Sequence, residues 1–161
     1  MSELVGRTLE LLAESKDAFA SAVKNIFDRK TMATLKISEL SAGDWVRYKG
    51  KEYTIASIYV AAEGYPHGVA LTYQGICCGC AYIDYLEPIP ITAEILEKSG
   101  FECIEEDADT ALYGTPSCSI FHTKGTLRYR LDTPQASVVC WNIHDLQHAL
   151  RLAGVDKEIN L

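Results

Sequence analysis

The chain has 161 residues, 48% apolar and 23% charged, the make-up of an ordinary globular protein of one domain or two small ones. Fifteen Lys and Arg against 22 Asp and Glu leave a formal charge of -7, which repels polyanions and makes nucleic acid a disfavoured partner. No apolar run is long enough to span a bilayer, and the first residues lack the basic-then-apolar order of an export signal, so a cytoplasmic protein without membrane contact is expected. In that setting the six cysteines are expected as free thiols or metal ligands rather than disulfides.

Val5, Leu9, Leu12, Phe19, Val23 and Ile26 fall at steps of four and three, interrupted only by Lys16, in a stretch without proline. This spacing predicts an amphipathic helix over residues 1 to 33, whose seam packs on its own domain, self-associates or docks on another protein. Its acidic and basic residues balance through Thr31, so the net negative charge belongs to the remainder; Met32 offers an alternative start.

From Leu35 the period shortens. Ile37, Leu40, Val46, Tyr48, Tyr53, Ile55 and Ile58 lie in short β-branched and aromatic stretches broken by Gly43 with Asp44 and Lys49 with Gly50. A two-residue loop at Lys49 and Gly50 places Val46 opposite Tyr53, Arg47 opposite Glu52 and Trp45 opposite Thr54. Val46, Tyr48, Tyr53 and Ile55 then face a core, while Trp45 points outward beside an Arg47 and Glu52 pair. Further strands are predicted at Val69 to Tyr73 and Ile76 to Tyr82. Five strands with tight turns suggest a small closed barrel over residues 35 to 90, with Pro88 and Pro90 marking its exit.

Residues 91 to 161 read as an α+β unit. Thr92 caps a short helix over Ala93 to Ser99, which Gly100 ends while Phe101 folds back on Leu96. Glu105, Glu106, Asp107 and Asp109 read as a solvated loop without the ligand pattern of a calcium site. Ser117 to His122, Thr126 to Asp132 and Ala136 to Trp141 form a three-stranded meander. The last helix starts with Asn142 as cap, Asp145 at N3 and Trp141 as a staple on Leu146; it buries Ile143, Leu146, Leu150 and Ala153 and turns His144, Gln147, His148 and Arg151 elsewhere.

Candidate chemistry is sparse. His144 and His148 are one helical turn apart, as in zinc hydrolases of the H-E-x-x-H kind, but the base position holds the shorter Asp145 and no third ligand follows. Cys77 and Cys80 have zinc-site spacing without a second pair. Strand alternation places Cys78 and Cys80 on one face and Cys77 on the other, as small buried hydrophobes. No nucleophile motif or phosphate loop is present, so neither cofactor nor metal is expected. The binding residues indicated are Trp45, Arg47 and Glu52: an outward indole flanked by charges offers a large rigid contact area.

The run Ser41, Ala42, Gly43, Asp44, Trp45, Val46, Arg47, Tyr48, Lys49, Gly50, Lys51, Glu52, Tyr53, Thr54, Ile55 resembles the opening of SH3-like and KOW-like barrels. With Glu87, Pro88, Ile89, Pro90, Ile91, Thr92, Glu94, Ile95, Leu96, Gly100, Phe101, His144, Leu146, Gln147 and Leu150, the order from Leu35 onward resembles a family of small uncharacterised proteins from Bacteroidales genomes, phages and mobile elements. That family often has Asn at the place of His148, so the resemblance lends nothing to a paired-histidine metal site, and it implies no activity. A KOW-like barrel implies contact with RNA or a transcription complex, for which Arg47, Lys49 and Lys51 supply the only basic cluster. The expected protein is thus an α+β chain of N-terminal helix, SH3-like barrel and helix-backed meander, acting as a non-enzymatic protein-binding or accessory module. Nucleic-acid binding and zinc hydrolysis are the alternatives.

Overall fold

The computed structural model describes residues 35–60, 62 and 66–161. The helix expected over residues 1 to 33 lies outside the described residues.

The described chain is mostly β. Ten strands form two five-stranded antiparallel sheets, ordered β4-β3-β2-β1-β5 and β10-β9-β8-β7-β6. The first comprises β1 (Trp45–Tyr48), β2 (Lys51–Tyr59), β3 (Gly68–Tyr73), β4 (Ile76–Tyr82) and β5 (Leu86–Glu87). The second comprises β6 (Glu102–Glu106), β7 (Thr110–Thr115), β8 (Cys118–Thr123), β9 (Tyr129–Asp132) and β10 (Ser137–Cys140). Helices α1 (Ala93–Lys98) and α2 (Ile143–Leu152) accompany them.

Neither sheet closes, which corrects both the expected barrel and the α+β class. Two misread segments explain the difference. Leu35 to Leu40 is not a strand but carries a single 3-10 turn at Ile37–Glu39. The fifth strand is instead Leu86–Glu87, which pairs with β1 for only two residues before Pro88 removes the next backbone donor. So short a strand extends one edge of the sheet and leaves β4 as the opposite edge, unpaired with β5. The second sheet contains two strands that local patterning did not reveal. The acidic stretch from Glu102 runs as β6, paired with β7 over Glu102 to Glu106, rather than as a solvated loop. Every residue of β6 is exposed, so as an edge strand it can be acidic, and its side chains show no apolar alternation.

The β1–β2 register is the one that the two-residue loop dictates: Trp45 opposite Thr54, Val46 opposite Tyr53, Arg47 opposite Glu52. Lys49 and Gly50 both have positive φ, 50° and 76°, as a tight hairpin of this hand requires. Val46 and Ile55 are buried in the first core with Leu35, Leu40, Val69, Leu71, Ala81, Ile83 and Leu86, and Tyr48 and Tyr53 pack partly against it.

The second core gathers Ile89, Ile91, Leu96 and Phe101, the inner faces of β7, β8 and β9, and Ile143, Leu146, Ala149 and Leu150 of α2. Helix α1 ends as its sequence indicates. The Thr92 hydroxyl accepts from Ile95 N–H, Gly100 takes φ 76°, and the N–H groups of Gly100 and Phe101 donate to Glu97 and Leu96 carbonyls at 2.8 and 3.0 Å. At the start of α2 the Asn142 side chain accepts from Asp145 N–H at 2.9 Å, while the Asp145 carboxylate accepts from Trp141 N–H at 3.0 Å. Trp141 is half exposed, with the Arg128 guanidinium 5.5 Å from its ring centre, so it is a surface residue rather than a buried staple. Among the described residues no helix is long and apolar enough to cross a membrane.

Candidate functional site

The residues singled out in sequence lie on the β1–β2 hairpin, Trp45 and Arg47 on β1 and Glu52 on β2. Arg47 and Glu52 form the expected cross-strand ion pair, 3.1 Å between guanidinium and carboxylate. Trp45 points away from the first core, as the register requires, but its ring is covered by the chain itself. It packs partly against the second core and its indole N–H donates to the Ile159 carbonyl at 3.0 Å.

Beside Trp45 lies a polar cluster that no local motif announced. Asp44 is fully buried, and its carboxylate accepts from the backbone N–H of Ser41 (2.7 Å), from Arg151 (3.0 Å), and from His148 Nε2 (2.8 Å). One turn of α2 supplies the next contacts: Gln147 accepts from Trp45 N–H at 3.0 Å and donates to the Gly43 carbonyl at 3.1 Å. Because Gln147, His148 and Arg151 share one side of α2, the helix grips the turn that launches β1 with four hydrogen-bonding atoms of three side chains, all directed at Gly43, Asp44 and Trp45. The cluster therefore ties α2 to the first sheet.

This arrangement gives the two histidines different surroundings. His148 is committed to Asp44, whereas His144 is buried in the helix's apolar stripe, contrary to the expected outward placement. Its ring stands edge-on to that of His148, 6.3 Å between ring centres, with the Asp145 carboxylate 3.6 Å from its Nε2. His144 Nδ1 has no hydrogen-bond partner among the described residues. No group of three potential metal ligands converges among them either.

Burial holds the His144 pKa below its ordinary value; Asp145 and Asp44 oppose that shift and His148 reinforces it, with Glu39 a further raising charge. A depressed folded-state pKa gives stability that is present above the unfolded value of about 6.5 and lost as pH falls. Chemical denaturation between pH 7.5 and 5.5 should show this loss, and His144→Leu should flatten the profile while leaving stability at pH 7.5 unchanged or raised. An equally steep profile in the variant would assign the acid sensitivity to other groups.

The thiols divide by position. Cys118 and Cys140 are buried, and burial pushes the Cys140 thiol up to about 12, with Asp145 adding to the shift, so it is not a nucleophile at neutral pH. Cys77, Cys78 and Cys80 on β4 are exposed, not buried as expected. A bulge is responsible: Gly79 pairs with Leu71 and Cys77 with Thr72, which leaves Cys78 without a partner and places Cys77 and Cys80, rather than Cys78 and Cys80, in the same row. Gly79 takes φ 128° there, a conformation that side-chain-bearing residues rarely adopt.

Strand β4 is the most open element of the first sheet. Among the described residues it pairs only with β3, every residue of it except Ala81 is exposed, and Ile76 is 71% exposed. Residues 68 to 82 contain no Asp, Glu, Lys or Arg. Tyr59 and Tyr82 flank Gly68, Tyr82 and Tyr85 lie 6.4 Å apart between ring centres, and all three tyrosines are about half exposed or more. The other edges are blunted. Strand β5 is two residues long and followed by Pro88, β6 carries Glu102, Glu105 and Glu106, and β10 has four residues and leads directly into α2.

No protein-family model, curated protein or solved structure matches the chain, so the functional reading rests on these surfaces alone.

Proposed function

We propose that the protein is a non-enzymatic protein-binding module that accepts an extended segment of a partner protein as an added strand along β4. The observation that carries this reading is the seven-residue, uncharged, exposed edge of the first sheet. An open edge offers a row of unpaired backbone donors and acceptors, and natural sheets usually obstruct it with charge, proline or a covering element. Among the described residues three edges are obstructed and this one is not. Tyr59, Tyr82 and Tyr85 beside it provide rigid aromatic area of the kind that dominates binding energy at protein interfaces. A reducing cytoplasm suits such an edge, since three exposed thiols lie on it.

The alternatives draw less support. Arg47 is paired with Glu52, which removes one charge from the basic hairpin cluster, and His148 is held by Asp44 rather than presented with His144 to a metal.

Ile76→Lys tests the reading. The side chain is mostly exposed, so folding stability should stay within about 0.5 kcal/mol, while partner recovery from host extract should fall about tenfold or more. Ile104→Lys on β6, equally exposed to change, should leave recovery intact. Hydrogen exchange at the β4 amides should slow in the complex. Unchanged β4 exchange, or equal loss from both variants, would move the interface elsewhere.

A further inference from the structure

The outer face of the second sheet carries a different feature. Phe121, Arg130 and Val139 form one cross-strand row over β8, β9 and β10. Thr123, Arg128 and Trp141 each lie two residues further along and continue that face, because side chains alternate along a strand. Between the rows is a depression of about 370 Å³, lined by Phe121, Thr123, Thr126, Arg128, Tyr129, Arg130 and Val139. Each guanidinium lies near an aromatic ring: Arg130 is 5.2 Å from the Phe121 ring centre and Arg128 is 5.5 Å from that of Trp141.

The charges around it differ in kind. Arg130 Nε donates to both Asp132 carboxylate oxygens, at 3.1 and 2.9 Å, and Ser137 holds the same carboxylate at 2.6 Å. Lys124 pairs with Glu106 at 2.7 Å. Burial pushes the Tyr129 phenol up to about 12, so it contributes no negative charge at neutral pH. Arg128 has no carboxylate partner among the described residues. The depression therefore presents one uncompensated planar cation, aromatic and apolar walls, and threonine hydroxyls at its rim.

We propose that this depression binds a small aromatic monocarboxylate. The volume suits a small ligand, the carboxylate would pair with the fork of Arg128, and the flat body would lie against Phe121 and Val139. Among the described residues Arg128 is the one lining cation without a carboxylate partner, which matches one negative charge. A phosphate dianion would exceed it by one charge. This site is separate from the β4 edge, and the two readings stand or fall independently.

Phenylacetate is a suitable probe, titrated into the full chain and followed by NMR at the Val139 methyls and the Trp141 indole N–H. Saturable shifts are expected below about 10 mM, with acetate and benzyl alcohol each at least about tenfold weaker because they lack one half of the ligand. Arg128→Ala should weaken phenylacetate about tenfold, and Arg128→Lys should recover only part of that loss, since an ammonium keeps the charge without the planar fork. Arg128 is exposed, so these variants should retain the wild-type thermal midpoint. No saturable shift, benzyl alcohol binding as well as phenylacetate, adenosine monophosphate binding more tightly, or full affinity in Arg128→Ala would each overturn the proposal.

Discussion

Asp44→Ala is expected to destabilise the protein by about 3 kcal/mol, a large effect for a residue in a surface turn of the sequence. The carboxylate is fully buried and receives hydrogen bonds from Ser41 N–H, His148 and Arg151. Removing it leaves those donors facing a space with no acceptor. The cost should sit at the low end of the range for broken buried pairs, because the Arg151 side chain is 46% exposed and can regain water. Arg151→Ala alone should cost about 1 to 2 kcal/mol, since it leaves the buried carboxylate with only Ser41 N–H and His148 as partners. His148, 29% exposed, should fall between the two. Urea denaturation of the three variants gives the order. A loss below about 1 kcal/mol for Asp44→Ala would show that Gln147 and the packing of Trp45 hold α2 against β1 without the carboxylate.

That cluster also marks where local reading of the sequence stops. The Lys49–Gly50 hairpin, the Thr92 to Phe101 helix with its left-handed end, and the Asn142 cap were all legible, because each depends on residues within about five positions of one another. Asp44 and His148 are 104 positions apart, and nothing near Asp44 distinguishes a buried acceptor from a solvated turn residue. Trp45 shows the same boundary from the other side. Its face of the sheet followed from alternation, but its cover came from Ile159, 114 residues away.

The failed barrel and the overlooked strands have a related cause. Strand patterning detects one buried face against one solvated face, and edge strands need not show it. Strand β6 is exposed throughout and β4 nearly so, hence one read as a loop and the other as a buried strand with thiols in the wrong rows. A single bulge at Cys78 was enough to bring Cys77 into the row of Cys80, since a one-residue slip moves every following side chain to the opposite face. The candidate binding edge was invisible for the same reason that it is a candidate. What defines β4 is the absence of a neighbouring strand, a property of the assembled sheet rather than of residues 76 to 82.

Phe101→Ala should have the largest effect of all, about 3 to 5 kcal/mol. The ring is 1% exposed in the second core, and truncation would remove most of a large side chain from a site enclosed by α1, α2 and the second sheet. Phe101 also performs a local task. Its backbone N–H closes the end of α1 on the Leu96 carbonyl, and both side chains lie in the same core, so the helix ending and the core share one residue. The two contributions can be told apart. Gly100→Ala leaves the ring in place but forces a side-chain-bearing residue into φ 76° and pushes the flexible end of Lys157 aside, and should cost about 1 kcal/mol, mainly through the helix end. If the ring acts through the core, Phe101→Ala should lower the denaturation midpoint of the whole described unit and raise exchange at amides in β7, β8 and α2 together. If its effect stayed within α1, with β8 amides as protected as before, α1 would be an appendage and the second core would be held by Ile120, Leu131 and Leu146 without it.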